Sequence, residues 1–165
     1  MRLFEKVKDR NALALATLRV AVGALFVIFG EYKVFGTEFT RHGGFEWWIN
    51  HFLQDGAAYP IFTPVLRNFV LPHATSIAFI VAYGEFAIGL SLVSGLLVRS
   101  ASAFGMLLMG LLLLSSNFPG KAAPLWQYFG ASLDHSVLLL CFLSFTIGRS
   151  DEYLSLRKLL AYRRQ

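Results

Sequence analysis

The sequence predicts an all-α integral membrane protein, a four-helix bundle with an ordered amphipathic outer loop. Two observations carry most of that expectation. Of 165 residues, 56% are hydrophobic and only 15% are charged, against about 25% charged in an ordinary soluble domain. Mean hydropathy is +0.56, and the apolar residues gather in four runs near the roughly 20 residues that cross a hydrocarbon core about 30 Å thick. Such a composition excludes a disordered chain, which would be polar and charge-rich. It also leaves too little polar surface to cover a soluble enzyme. The length fits a single domain, residues 1–165.

The first span is expected at about 13–35, interrupted mainly by Arg19, Glu31 and Lys33. The basic start MRLFEKVKDR resembles the head of a signal peptide, but the apolar run is longer than such a peptide uses and contains Arg19, so it reads as a retained span. The second span is expected at 74–98, with Glu85 near its middle. The third, 101–118, ends at Pro119. Within it, Met106–Leu114 has no polar stripe and is apolar all round, as a lipid- or core-embedded helix must be. The fourth, 131–148, is the shortest in effect, because Asp134 and His135 stand near its start.

Residues 36–73 join the first two spans, and a structureless loop of that length is uncommon. In Phe45–Asp55 the apolar positions Phe45, Trp48, Ile49, Phe52 and Leu53 fall on one helical face, the pattern of a helix lying in an interface plane. Asp55-Gly56 reads as its stop. Thr63-Pro64 reads as the start of a second short helix, with Thr63 as N-cap and Pro at its first position, and Pro72 as its end. Trp47, Trp48 and Trp126 fall at the same end of the spans, where indole rings favour the headgroup level. They read either as an aromatic belt or as the roof of a lipid-level pocket.

Lysine and arginine placement sets the expected orientation. Ten basic residues lie in the N-terminal tail, the turn holding Arg99 and the C-terminal tail, against four (Lys33, Arg41, Arg67, Lys121) on the opposite side. Both termini are therefore expected in the cytoplasm. The net charge of +5 then reads as a topology signal and a contact with anionic lipid. It does not suggest a nucleic-acid surface, since no soluble domain interleaves bases with aromatics. The lone Cys141 allows no internal disulfide and reads as a small apolar core residue.

An ionised side chain at mid-span costs roughly 2.5–3.5 kcal/mol on insertion scales, so Glu85 should face the bundle interior, paired or protonated. Counting about 1.5 Å of rise per residue, Glu85, Asp134, His135, Ser115, Ser116 and Asn117 fall within one layer at or above the midplane. Tyr83 and Glu31 approach it from the outer side. Such a layer suits three uses. It can be a hydrogen-bond network that sets helix register, a site for a quinone or other lipophilic ligand, or a path for protons or small solutes. For a quinone, His135, Glu85 or Asp134, and Tyr83 would supply the donors and proton acceptors, with Arg19 and Asn117 as further candidates. A metal or haem site is disfavoured: Asp134 and His135 are adjacent and diverge by about 100° on a helix, and the sequence has no E-x-x-H pair and no CxxCH. No catalytic residue and no resident cofactor is evident. Gly23, Gly30, Gly89 and Gly105 mark places where helices can approach closely.

These residues carry a family resemblance. Leu18–Gly30 (LRVAVGALFVIFG) followed by Lys33 resembles the first span of DoxX-like proteins. Gly84-Glu85-Phe-Ala-Ile-Gly89-Leu90, continuing through Gly95 to Arg99, resembles their second-span signature. The run Gly148-Arg149-Ser-Asp-Glu-Tyr-Leu154 resembles their close. The resemblance covers most of the chain in order and hydropathy, and the long loop with its paired tryptophans falls outside it. It implies a small four-helix protein of the bacterial cytoplasmic membrane, with Arg19, Lys33, Glu85, Gly89 and Arg99 matching the motif. Some relatives are subunits of thiosulfate:quinone oxidoreductases and others belong to thiol redox complexes. The expected role is accordingly a subunit of a quinone-linked redox assembly, with the redox centre supplied by a partner. The alternatives are a non-enzymatic membrane scaffold and a proton-coupled carrier. Lipid, a partner redox subunit or a second copy are the expected neighbours.

Overall fold

The computed structural model describes residues 2–130 and 133–156. Helix α1 spans Arg2–Phe35. Helix α2 spans Gly44–Gln54 and the single turn α3 Thr63–Val65. They are followed by α4 over Ala74–Ser94, α5 over Val98–Ser116, α6 over Leu125–Gly130 and α7 over Leu133–Ile147. Three segments are long and apolar enough to cross a membrane: Arg10–Phe35, Thr63–Ser94 and Val98–Ser116, with 26, 32 and 19 residues. The apolar stretch of α7, Asp134–Ile147, is shorter. The expected start of that fourth span at Ala131, and the bases Arg157, Lys158, Arg163 and Arg164, lie outside the described residues.

Several boundaries differ from the sequence expectation. Helix α1 starts well before Leu13, because no proline or glycine precedes Gly23 to stop it. Pro72 does not end the loop helix. The chain passes from α3 through a wide turn at Leu66–Val70 and a tight one at Leu71–His73 straight into α4. Pro72 sits in the first turn of that tight segment, where its missing N–H has no helical partner to lose. Thr63 is the first residue of α3, with Phe62 at the N-cap, and its hydroxyl donates back to the Tyr59 carbonyl at 3.2 Å. Helix α4 stops four residues early, at Ser94, because Gly95 takes the left-handed conformation (φ +72°) that ends many helices. Helix α5 correspondingly begins at Val98.

Helix α1 packs along α4, α5 along α7, and the contacts α4 to α5 and α7 to α1 close the bundle. The α1–α4 seam has a simple cause. Ala12, Ala16, Arg19, Gly23, Phe26, Gly30 and Lys33 recur at alternating spacings of four and three, as do Ala78, Ala82, Glu85, Gly89 and Leu92. That is the heptad pattern that keeps one stripe facing a partner helix. Most of its members are small, so the two backbones come close. A Cβ on Gly30 would lie 2.7 Å from the Phe86 backbone, and one on Gly89 would lie 2.6 Å from the Val27 nitrogen. On the other side of the core, Gly105 admits the Phe142 ring, which meets Phe26 edge to face at 5.2 Å.

Residues 36–73 are ordered on one end of the bundle. Phe45, Ile49, Phe52 and Leu53 of α2 pack on Ala58, Leu66, Val70 and Leu71. Trp48, expected on this apolar face, stands at its edge and is 47% exposed. The loop is tied to the end of α5 by two backbone bonds, Tyr59 N–H to Leu114 O at 2.9 Å and Phe118 N–H to Ala57 O at 2.8 Å. Rings of Tyr59, Phe118 and Tyr128 cover that junction. Burial, and after it the neighbouring Tyr128 phenol, push the Tyr59 hydroxyl above the ordinary phenol range.

Candidate functional site at the buried charges

Glu85 is buried, its side chain 8% exposed, and its cationic partner is Lys33. The Lys33 ammonium donates to both carboxylate oxygens, at 2.8 Å to Oε1 and 2.6 Å to Oε2. It also lies over the Phe39 ring, 4.8 Å from the centroid, a cation–π contact that steadies a charge held away from water. The pair joins α1 to α4 one turn beyond the close contact at Gly30. Lys33 is 22% exposed, so the ion pair is sealed on the Glu85 side and partly open on the Lys33 side. The sequence reading placed Glu85 correctly in the interior and did not place Lys33 in the layer. The heptad stripe Arg19, Gly23, Phe26, Gly30, Lys33 is the signal that locates it.

Arg19 does not reach Glu85. Its guanidinium is fully buried and donates to three backbone carbonyls: Leu92 O, Tyr153 O at 3.1 Å and Leu154 O at 2.7 Å. The Leu92 carbonyl lies in the last turn of α4, where helical carbonyls lack partners and cations are favoured. Tyr153 and Leu154 belong to the segment after α7, which also meets α4 through Ser155 Oγ donating to Gly95 O at 3.0 Å. Arg19 thus clips α1, the end of α4 and the chain after α7 together. Exchange of Arg19 for methionine would strand the buried Leu92 carbonyl at about 1–3 kcal/mol and release the carbonyls of Tyr153 and Leu154. The expected result is a large fall in melting temperature in detergent and faster labelling of a cysteine placed at Ser155. An unchanged labelling rate would disprove the clip.

The other members of the expected layer form a separate group. The Asn117 side-chain oxygen stands 2.7 Å from Ser116 Oγ and 3.3 Å from His135 Nδ1, linking the end of α5 to the start of α7. Asp134 lies 3.7 Å from the same ring nitrogen but is 66% exposed. Ser115 turns back to the Leu111 carbonyl at 2.7 Å. Among the described residues no hydrogen bond or ion pair joins Glu85 to Asp134, His135 or Asn117, so the single layer resolves into two polar groups. Tyr83 and Glu31 point outward, Tyr83 being 54% exposed. Trp47 stacks on His51 at 5.1 Å and meets Trp48 edge to face at 4.8 Å. Trp47 and Trp126 are 57% and 65% exposed, the surface position an aromatic belt requires. Among the described residues, no three His, Cys, Asp or Glu side chains converge to hold a metal ion.

The family model DoxX matches residues 14–116, which include Arg19, Lys33, Glu85, Gly89 and Arg99. No curated protein and no solved structure matches the chain. A matched segment that runs from the first span through the third and contains both the α1–α4 seam and its ion pair, together with three helices long enough to cross a bilayer, leads to one conclusion: this chain is a multi-pass membrane protein and belongs to the DoxX family.

Proposed function

We propose that this chain is a small subunit of a quinone-linked redox assembly, of the thiosulfate:quinone oxidoreductase kind, in the bacterial cytoplasmic membrane. On this reading α7 is the fourth span and both termini face the cytoplasm, in keeping with the basic residues of the tails and of the α4–α5 turn. The observation that carries the reading is the half-open ion pair: a buried carboxylate held by an ammonium that is itself 22% exposed. A quinone contacting it would accept two electrons, from a redox centre on a partner subunit, and two protons. Lys33 would donate a hydrogen bond to the ligand carbonyl, and Glu85 would hold a proton or release it as that bond forms. Phe39 supplies an aromatic face next to the ammonium.

The test is purification of the complex from native membranes, with extraction and mass spectrometry of bound small molecules and identification of accompanying proteins. Stoichiometric quinone in the wild-type complex, lost when Lys33 and Glu85 are both changed to methionine, is the expected result. A complex without quinone, whose redox activity survives that double change, would overturn the reading. A second reading, a non-enzymatic assembly protein, is favoured by the Arg19 clip, in which a buried charge serves helix packing alone. It predicts that changes at Lys33 and Glu85 alter stability and partner retention and nothing else.

A further inference from the structure

A shallow groove of about 560 Å³ runs along α1, lined by Arg10, Leu13, Ala14, Thr17, Leu18 and Ala21. These residues recur three and four apart and so share one helix face. Ala14, Thr17 and Ala21 are small. Leu13 and Leu18, 45% and 42% exposed, stand beside them. The Thr17 hydroxyl is turned back on the Leu13 carbonyl at 3.0 Å, so it leaves no unpaired donor in the groove. The one charged member is Arg10, a base that precedes the apolar run beginning at Leu13, the kind of position that the proposed topology places near the cytoplasmic headgroups.

The charge at this end of the bundle is one-sided. Among the described side chains this end holds Arg10, Arg99 and Arg149, the last paired with Glu152 at 2.9 Å. Arg10, Arg99 and Arg149 are all exposed, and the Ser155–Gly95 and Arg19 bonds hold the chain after α7 against the α4–α5 turn. Among the described residues no carboxylate pairs with Arg10. An apolar helix face leading to a guanidinium that no described carboxylate pairs has the shape and charge of one ligand class.

We propose that this groove binds an anionic phospholipid, with an acyl chain along Leu13–Ala21 and the phosphate at Arg10. A guanidinium matches a phosphate with paired hydrogen bonds, and the basic excess of the tails and the α4–α5 turn in the sequence favours anionic lipid. A second copy of the chain fits less well. Two-fold pairing of parallel copies through this face would bring one Arg10 toward the other, like charge toward like charge.

The test uses the full chain, delipidated in detergent and titrated with phosphatidylglycerol or phosphatidylcholine of identical acyl chains, with bound lipid counted by native mass spectrometry. Phosphatidylglycerol is expected to be retained over phosphatidylcholine. Arg10→Gln is expected to weaken phosphatidylglycerol binding about five-fold, the weight of one base at an anionic surface, and to leave phosphatidylcholine binding unchanged. Changing Ala14 and Ala21 to leucine fills the trough and should remove both lipids. All of these positions are exposed, and circular dichroism verifies the fold of each variant. Equal retention of the two lipids, or an Arg10→Gln protein that binds like wild type, overturns the proposal. So does a dimer mass that vanishes when the trough is filled, which assigns the groove to a second copy.

Discussion

Replacing Lys33 by methionine is expected to destabilise the protein by about 3–5 kcal/mol, the usual cost of leaving a buried charge without its partner. Glu85 would then sit without its partner in a seam of small apolar residues. The reverse change, Glu85→Gln, is expected to cost less. Lys33 lies in the last turn of α1 and is partly exposed, so its flexible stem can carry the ammonium toward the interface. Changing both residues to methionine should recover most of the loss, since a well-packed apolar pair can replace a buried ion pair at little net cost. Thermal unfolding in detergent of wild type, Lys33→Met, Glu85→Met and the double methionine variant gives the cycle. Single and double variants that all melt with wild type would show that the pair contributes nothing to the fold.

The second large effect is expected at Gly89. Its missing Cβ would lie 2.6 Å from the Val27 nitrogen and 2.9 Å from the Phe26 carbonyl carbon. Both are backbone atoms in the middle of a helix, so neither can turn aside as a side-chain end would. Alanine there must push α1 away from α4, and overpacking of this kind costs about 1–3 kcal/mol or more. Because Glu85 is one turn away, the same displacement should also pull Lys33 from its carboxylate. Gly110 is the internal control. Nothing lies within 4 Å of its Cβ position, so Gly110→Ala should gain the helix-propensity difference, about 0.8–1.0 kcal/mol. If Gly89→Ala and Gly110→Ala shift the melting temperature alike, close packing does not hold the seam.

Together these expectations show why the α1–α4 seam was only half legible beforehand. Gly23, Gly30, Glu85 and Gly89 stood out in sequence because glycines and a carboxylate are conspicuous in an apolar span. Lys33 stood out as a break in the span and as part of the family motif but not as the partner of Glu85, because a lysine near the end of a span is ordinarily an interface anchor. What distinguishes it is its register with Arg19, Gly23, Phe26 and Gly30. Depth counting, which assembled Glu85, Asn117, Asp134 and His135 into one layer, measures height alone. It carries no information on rotation about each helix, and among the described residues the contacts fall into a Lys33–Glu85 group and an Asn117–His135 group.

Arg19 teaches the same lesson along the chain. Its charge was plain, but its partners are backbone carbonyls of Leu92, Tyr153 and Leu154. Every residue has a carbonyl, so no residue type marks the partner in advance. Pro72 is a third instance: its stop signal was locally sound, and the tight turn Leu71–His73 that contains it, with the wide turn before it, absorbed the break.

The sequence by itself determined the helical class, the apolar segments, the loop helix with its Asp55-Gly56 stop and the interior location of Glu85. These follow from hydropathy and spacing, which act through the few residues around each position. Only the tertiary structure decided which charge meets which partner, how closely α1 approaches α4 and which face of α1 remains open. Those depend on helix rotation and on contacts between residues dozens of positions apart, and the energy of one such contact is felt only once the whole bundle has closed.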